Sequence, residues 1–222
     1  MRTFAGGLAV GAVLVGLLSA CTSPVGGNAR SGPTTPPVPG TLQASFVPID
    51  QVSSVVGVTL SASTDTGAPP APLAANPAGC AIAVGPATRQ VFTAGWTVFG
   101  SVTYQDSPHA ADHTVTQTLG RYPDGTQAGA VFTALANGLK ACPAGVRTDP
   151  DQSTTKWMYT VDSATANALA WTATQDAGGG WACYRQARLT GPNVLEVAVC
   201  EAGNGKPAAA AIADRFAGKL AG

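Results

Sequence analysis

Residues 180–201 read GWACYRQARLTGPNVLEVAVCE, and this stretch decides the fold. Two strand-like runs, Gly180–Thr190 and Asn193–Glu201, flank Gly191-Pro192, a pair of turn residues at hairpin spacing. A two-residue loop pairs Thr190 with Asn193, so facing residues carry numbers that add to 383, and Cys183 and Cys200 add to the same 383. They lie directly opposite each other. Alternation from a hydrogen-bonded closing pair makes theirs a non-hydrogen-bonded pair with Cα atoms about 4.5 Å apart, at the short end of the disulfide range of roughly 4.4–6.8 Å. Of the five cysteines, Cys21 belongs to the leader considered below, so Cys183–Cys200 leaves Cys80–Cys142 as the second bridge. Chain-entropy arguments give the two bridges roughly 3 and 4 kcal/mol, comparable with the net stability of a whole domain. No C-x-x-C occurs, and the spacings of 62, 41 and 17 lack the close ligand pairs of a structural zinc site, so no metal is expected on these cysteines.

Upstream of the hairpin, Thr155–Val161 and Ala168–Gln175 are further strand-like runs. Asp124-Gly-Thr-Gln127 is a helix start, with an aspartate to accept from an orphan N–H and a glutamine able to reach back. Ala128, Val131, Phe132, Leu135 and Leu139 form one apolar stripe, Cys142 falls on it, and Pro143 ends the helix. Gln90–Gln105 alternates and reads as a strand with one buried face, carrying Trp96, Val98, Val102 and Tyr104, with Phe99 out of step. His113–Tyr122 continues in the same idiom. Pro48 opens a short helix with Ile49, Val52, Val55 and Val56 at helical spacing, and Pro207 opens a last one whose Ala209, Ile212, Phe216 and Leu220 share a face. Thr66–Pro77, TGAPPAPLAANP, reads as a surface loop. Strands at hairpin spacing with helices between and after them predict an α+β domain: a central twisted antiparallel sheet packed with a few helices and pinned by two disulfides.

The N-terminus is an address. Residues 1–20, MRTFAGGLAVGAVLVGLLSA, carry one positive charge at Arg2 and an uncharged apolar run, the layout of a secretory signal peptide. Leu18-Ser19-Ala20-Cys21 matches the bacterial lipobox, which predicts cleavage before Cys21 and acylation of its thiol. Residues 21–45 then form a lipidated N-terminus and a Pro/Gly/Ser/Thr-rich tether, TSPVGGNARSGPTTPPVPGT from Thr22 to Thr41, too poor in apolar residues to repay its ordering entropy. The whole chain has 12 basic and 12 acidic residues, and loss of the leader with Arg2 leaves 11 against 12. That balance excludes a phosphate-tracking surface, so no nucleic-acid partner is expected, and attachment to the membrane falls to the lipid on Cys21. With 45% apolar and only 11% charged residues, the chain is also too hydrophobic to be disordered throughout.

Motifs for catalysis are missing. There is no G-x-S-x-G elbow, no P-loop, no G-x-G-x-x-G after a strand and no H-E-x-x-H, so neither catalytic residues nor cofactors are expected. His109 and His113, in Asp106-Ser-Pro-His-Ala-Ala-Asp-His113, read as solvated loop residues. Trp96, Trp157, Trp171 and Trp181 all fall in strand runs and read as core, the alternative being that two of them line a cleft.

Gly79-Cys80, Gln90-Val-Phe with Gly95-Trp96, Leu139-Lys-Ala-Cys142, Trp157, Gly180-Trp-Ala-Cys-Tyr-Arg185, Asn193-Val194 and Ala198-Val-Cys200, in that order, resemble the PknH-like extracellular sensor domain over residues 46–222. That family forms the outer part of a bacterial receptor serine/threonine kinase and occurs in stand-alone actinobacterial lipoproteins. The resemblance implies an α+β fold, two disulfides and a cleft for an unidentified ligand. It supplies no catalytic residues. The expected function is that of a membrane-anchored extracytoplasmic lipoprotein with a non-enzymatic, sensor-like domain for an unknown small-molecule, lipid or envelope ligand. Two other readings stand beside it: a carrier of lipid or glycolipid, which needs an apolar cavity deep enough for an acyl chain, and an envelope enzyme assembled from Arg185, Glu196 and the histidines.

Overall fold

The computed structural model describes residues 30–31 and 41–220 of the chain. The leader, Cys21 and most of the tether lie outside the described residues. In chain order the elements are β1 (Arg30–Ser31), α1 (Leu42–Ser45), α2 (Ile49–Val56), β2 (Ala62–Thr66), β3 (Ala74–Asn76), a 3₁₀ turn (Ala78–Cys80), α3 (Ala81–Val84), β4 (Val98–Gln105) and β5 (His113–Arg121). They continue with α4 (Gly125–Ala141), β6 (Ala144–Thr148), β7 (Thr154–Ala164), β8 (Ala168–Gln175), β9 (Trp181–Thr190), β10 (Asn193–Ala202) and α5 (Lys206–Leu220). The folded part begins ahead of residue 46, because Leu42–Ser45 make a helical turn whose partly buried Leu42 packs against the core. Among the described residues no helix is long and apolar enough to cross a membrane.

The strands form one sheet in the order β1-β2-β4-β5-β10-β9-β8-β7-β6-β3, and every ladder is antiparallel. This is the expected α+β architecture. The β9–β10 hairpin has the derived register, with Thr190 opposite Asn193 and Cys183 opposite Cys200, and Gly191 supplies the left-handed turn position at φ +54°. Both bridges are formed as expected, with Cα–Cα separations of 4.0 Å for Cys183–Cys200 and 5.2 Å for Cys80–Cys142. The second joins the 3₁₀ turn, rather than a strand, to the end of α4. Only seven residues link β2 to β3, which are eight strand positions apart. A flat sheet would separate them by roughly 38 Å, beyond the ~29 Å that the chain spans from Thr66 to Ala74, so the sheet curls.

Two apolar layers sandwich the sheet. On one face, α4 lays Ala128, Val131, Phe132, Leu135 and Leu139 over Trp171, Leu169, Ala187 and Val194. On the other, α5 lays Ala209, Ile212, Ala213 and Phe216 over Leu195, Val197, Val199, Val115 and Leu119. Asp124 caps α4 by accepting from the Gln127 N–H at 2.9 Å, while the Gln127 amide turns to the same carboxylate at 3.4 Å instead of closing the expected reciprocal box.

Four expectations are corrected. Residues 90–97 are turns and not strand: they dip inward to bury Val91 and Phe92, and Gly120 leaves the space, since a Cβ there would meet the Phe92 ring at 2.6 Å. Trp96 is thereby a loop residue. At its start the β4 strand is covered on both sides, which explains Phe99: it stacks edge-on against Phe92 at 5.3 Å on the α4 face, while Val102 and Tyr104 enter the α5 face. The stretch read as a loop over 66–77 contains β3, paired to β6 at the sheet's edge.

Candidate functional site

Antiparallel register determines which side chains share the α4 face. One row runs Tyr159, Ala173, Cys183, Cys200, and the next runs Val161, Trp171, Arg185, Ala198. The small Ala173 between Tyr159 and Cys183 leaves a hollow that α4 does not reach. A cleft of about 20 Å³ forms there, floored by Tyr159, Ala173 and Cys183, walled by Ala83 and Val84 of α3, and edged by Arg147, Trp157 and Arg185. That space holds one or two water-sized groups. Both disulfides frame it: Cys183 is part of the floor, and Cys80–Cys142 ties the turn leading into α3 to the end of α4. Gly145 permits the approach, because a Cβ there would sit 3.1 Å from the Cys80 Cβ.

The charged groups are anchored from behind. Arg185 donates through Nη1 to Glu196 Oε1 at 2.7 Å, and Glu196 is only 2% exposed. Its other oxygen, Oε2, is buried with no partner among the described residues. Burial pushes the Glu196 carboxyl above its ordinary pKa, and the charge and hydrogen bond of Arg185 offset only part of that rise. At the other side, Arg147 donates through Nε and Nη2 to Asp149 Oδ2 at 3.1 and 2.9 Å and lies over the Trp157 ring at 5.4 Å. Burial pushes the Tyr159 phenol up to about 12, against the lowering influence of the Arg185 and Arg147 charges.

The two residues nominated from sequence for an enzyme, Arg185 and Glu196, are thus brought together, with Arg185 at the cleft and Glu196 beneath it. The histidines are not. His113 begins β5 and bonds through Nδ1 to Asp106 Oδ2 at 2.9 Å, so it is an anchored residue and not a solvated one, whereas His109 is exposed. Burial raises the Asp106 carboxyl, but its hydrogen bonds with the His113 side chain and backbone outweigh that and hold it below the usual aspartate value. Of the tryptophans, Trp171 is fully buried, Trp157 is both core and cleft wall, and Trp96 and Trp181 are half-buried. Among the described residues no group of three or more His, Cys, Asp or Glu could hold a metal ion. Sequence reading missed Arg147, which rides on the unrecognised β6, and Tyr159, which shares a strand face with Trp157. The Arg-x-Asp pattern at 147–149 was the one local signal for the former.

Comparisons with known proteins agree with this architecture. A family model described as the PknH-like extracellular domain matches residues 37–219. Among solved structures, the crystal structure of the extracellular domain of PknH from Mycobacterium tuberculosis superposes with a TM-score of 0.73, covering 84% of this chain and 98% of that one at 19% identity. At that identity the likeness is one of fold. No curated protein matches at a significant level.

Proposed function

The chain belongs to the PknH-like extracellular domain family, and from that premise we propose that it acts outside the cytoplasm as a lipid-anchored, non-enzymatic protein whose domain captures a ligand in the cleft on the α4 face. The observation that carries this reading is the cleft itself: a hollow framed by both disulfides, edged by two arginines, in a domain whose opposite face is closed by α5. A cleft of about 20 Å³ suits one polar group of a small ligand and is far too small for an acyl chain, which weighs against a lipid carrier. Anchoring rests on the lipobox ending at Cys21, two or three acyl chains being enough for stable attachment where one is marginal.

Native mass spectrometry of the protein purified from its own membrane tests both parts. The mature chain is expected to begin at Cys21 with an acyl mass increment that Cys21→Ala abolishes, and to carry a bound small molecule. An unmodified Cys21 defeats the anchoring, and a chain that carries nothing beyond its own mass defeats the ligand reading.

A further inference from the structure

The cleft's hydrogen-bonding inventory is one-sided. Of the polar side chains that line it, Arg147, Arg185 and Trp157 only donate, and Tyr159 alone carries an oxygen. Several of those donors are unused among the described residues. Arg185 commits Nη1 to Glu196, leaving Nε and Nη2 without a partner, and Arg147 commits Nε and Nη2 to Asp149, leaving Nη1. Among the described residues the Tyr159 hydroxyl has no hydrogen-bond partner, and the Trp157 indole N–H is buried with no acceptor.

The two carboxylates that balance the arginines do not line the cleft. Glu196 lies beneath Arg185, shut from solvent, and Asp149 holds Arg147 from the end of β6. They orient the guanidinium groups without filling the space in front of them. The remaining walls, Ala83, Val84, Ala173 and the Cys183 sulfur, offer apolar contact only.

Resting on the reading of this cleft as a ligand site, we propose that its ligand is a small molecule bearing an anionic acceptor group, a carboxylate or a phosphate, which enters between Arg147 and Arg185 and accepts from both and from the Tyr159 hydroxyl. A planar guanidinium offers parallel donors that match such oxygens, and two of them facing one hollow make a fork for a single anion. The size of the hollow limits the buried part to one or two oxygens of that group, and the rest of the ligand lies against the Arg147–Trp157 stack at the rim.

The test uses the mature chain in a neutral detergent, ¹⁵N-labelled and titrated with acetate and with inorganic phosphate at constant ionic strength set by chloride. Saturable shifts of the Trp157 indole and Arg185 Nε–H resonances are expected with at least one of the two anions. Affinity should fall at least tenfold in Arg147→Gln. It should fall equally in Arg185→Gln/Glu196→Gln, a pair chosen so that no unpaired buried carboxylate unfolds the domain. Lys156→Gln, which removes a cation paired with Asp176 outside the cleft, should bind as the parent does. Shifts that grow linearly without saturating for both anions, or saturable shifts that survive in both arginine variants, overturn the proposal. A neutral compound recovered from native protein, with no response to either anion, sinks the anion assignment while leaving the ligand-binding role standing.

Discussion

Two buried polar side chains on neighbouring strands, Gln117 of β5 and Glu196 of β10, show how differently the two faces of one sheet are built. Gln117 lies on the α5 face, fully buried, and its amide accepts from the Val47 N–H and donates to the Val47 C=O, both at 2.9 Å. Every polar atom of that side chain is satisfied, and the segment leading into α2 is clamped to the sheet. Glu196 lies on the α4 face, equally sunk, with one oxygen bonded to Arg185 and the other without a partner among the described residues. The α5 face spends its buried polarity on docking the chain's own N-terminal segment. The α4 face keeps its buried carboxylate under a charged side chain that opens onto a cleft. Unsatisfied buried polar groups cost stability, and they collect where a surface serves something besides packing.

The largest expected effect lies on the closed face. Phe216 is fully buried and its ring centroid is 5.3 Å from that of Phe46, so Phe216→Ala should cost about 4 kcal/mol in chemical denaturation through lost burial and the cavity left behind. A loss below 1 kcal/mol would mean that the α5 face is looser than its packing implies. Gln117→Ala strands the buried N–H and C=O of Val47 and should cost about 3 kcal/mol. Hydrogen exchange at the Val47 amide should rise with it, and an unchanged exchange rate would show that water replaces the clamp.

The next effect is one of pH. Because burial raises the folded-state pKa of Glu196, the folded chain holds that proton more tightly than the unfolded chain does. This contribution falls as pH climbs from the ordinary glutamate range through the raised folded value, by about 1.4 kcal/mol for each unit of elevation. Glu196→Gln removes it. The stability difference between parent and variant, followed by urea midpoints from about pH 4 upward, should therefore shift in favour of the variant as pH rises, and a pH-independent difference refutes the assignment.

The smallest effect belongs to the part of the α4 face that no helix covers. There Thr103 and Thr116 share a cross-strand hydrogen bond of 2.9 Å, as do Ser101 and Thr118. Thr103 is half-buried and Val is at least as good a strand former, so Thr103→Val should change the thermal midpoint by an amount equivalent to less than about 0.5 kcal/mol. A loss above about 1 kcal/mol would show that these hydroxyl pairs help hold the sheet together.

Much of the frame was legible in the residues. The β9–β10 hairpin, both disulfides, α4 with its stripe and α5 with Ala209, Ile212 and Phe216 all follow from local pattern and turn chemistry. What escaped was short or two-sided. The strands Ala62–Thr66, Ala74–Asn76 and Ala144–Thr148 are mostly small or polar, with Val146 their one larger aliphatic residue, so they have no apolar alternation to read. They are strands because an existing edge offers them hydrogen-bond partners. Phe99 looked out of step only because an alternating strand was assumed to bury one side.

The cleft was not legible, for the same reason. Arg147 sits on one of those silent strands and the Ala83–Val84 wall on a four-residue helix. Arg185 and Glu196 are 11 positions apart, and their pairing on one face could be counted from the hairpin, but the ion pair itself and the space beside it could not.

Pairing along a hairpin and burial along a helix stripe are local rules with fixed periods, so the residues alone dictated the frame: which cysteines meet, which helix faces turn inward and which strands neighbour one another through short turns. Curling the sheet, bringing α3 beside β6 and β7 through the Cys80–Cys142 bridge, and leaving a hollow over Ala173 depend on packing among elements far apart in the chain. A cleft is the volume that packing leaves empty, and no local rule of sequence encodes an emptiness bounded by residues as distant as Ala83 and Arg185.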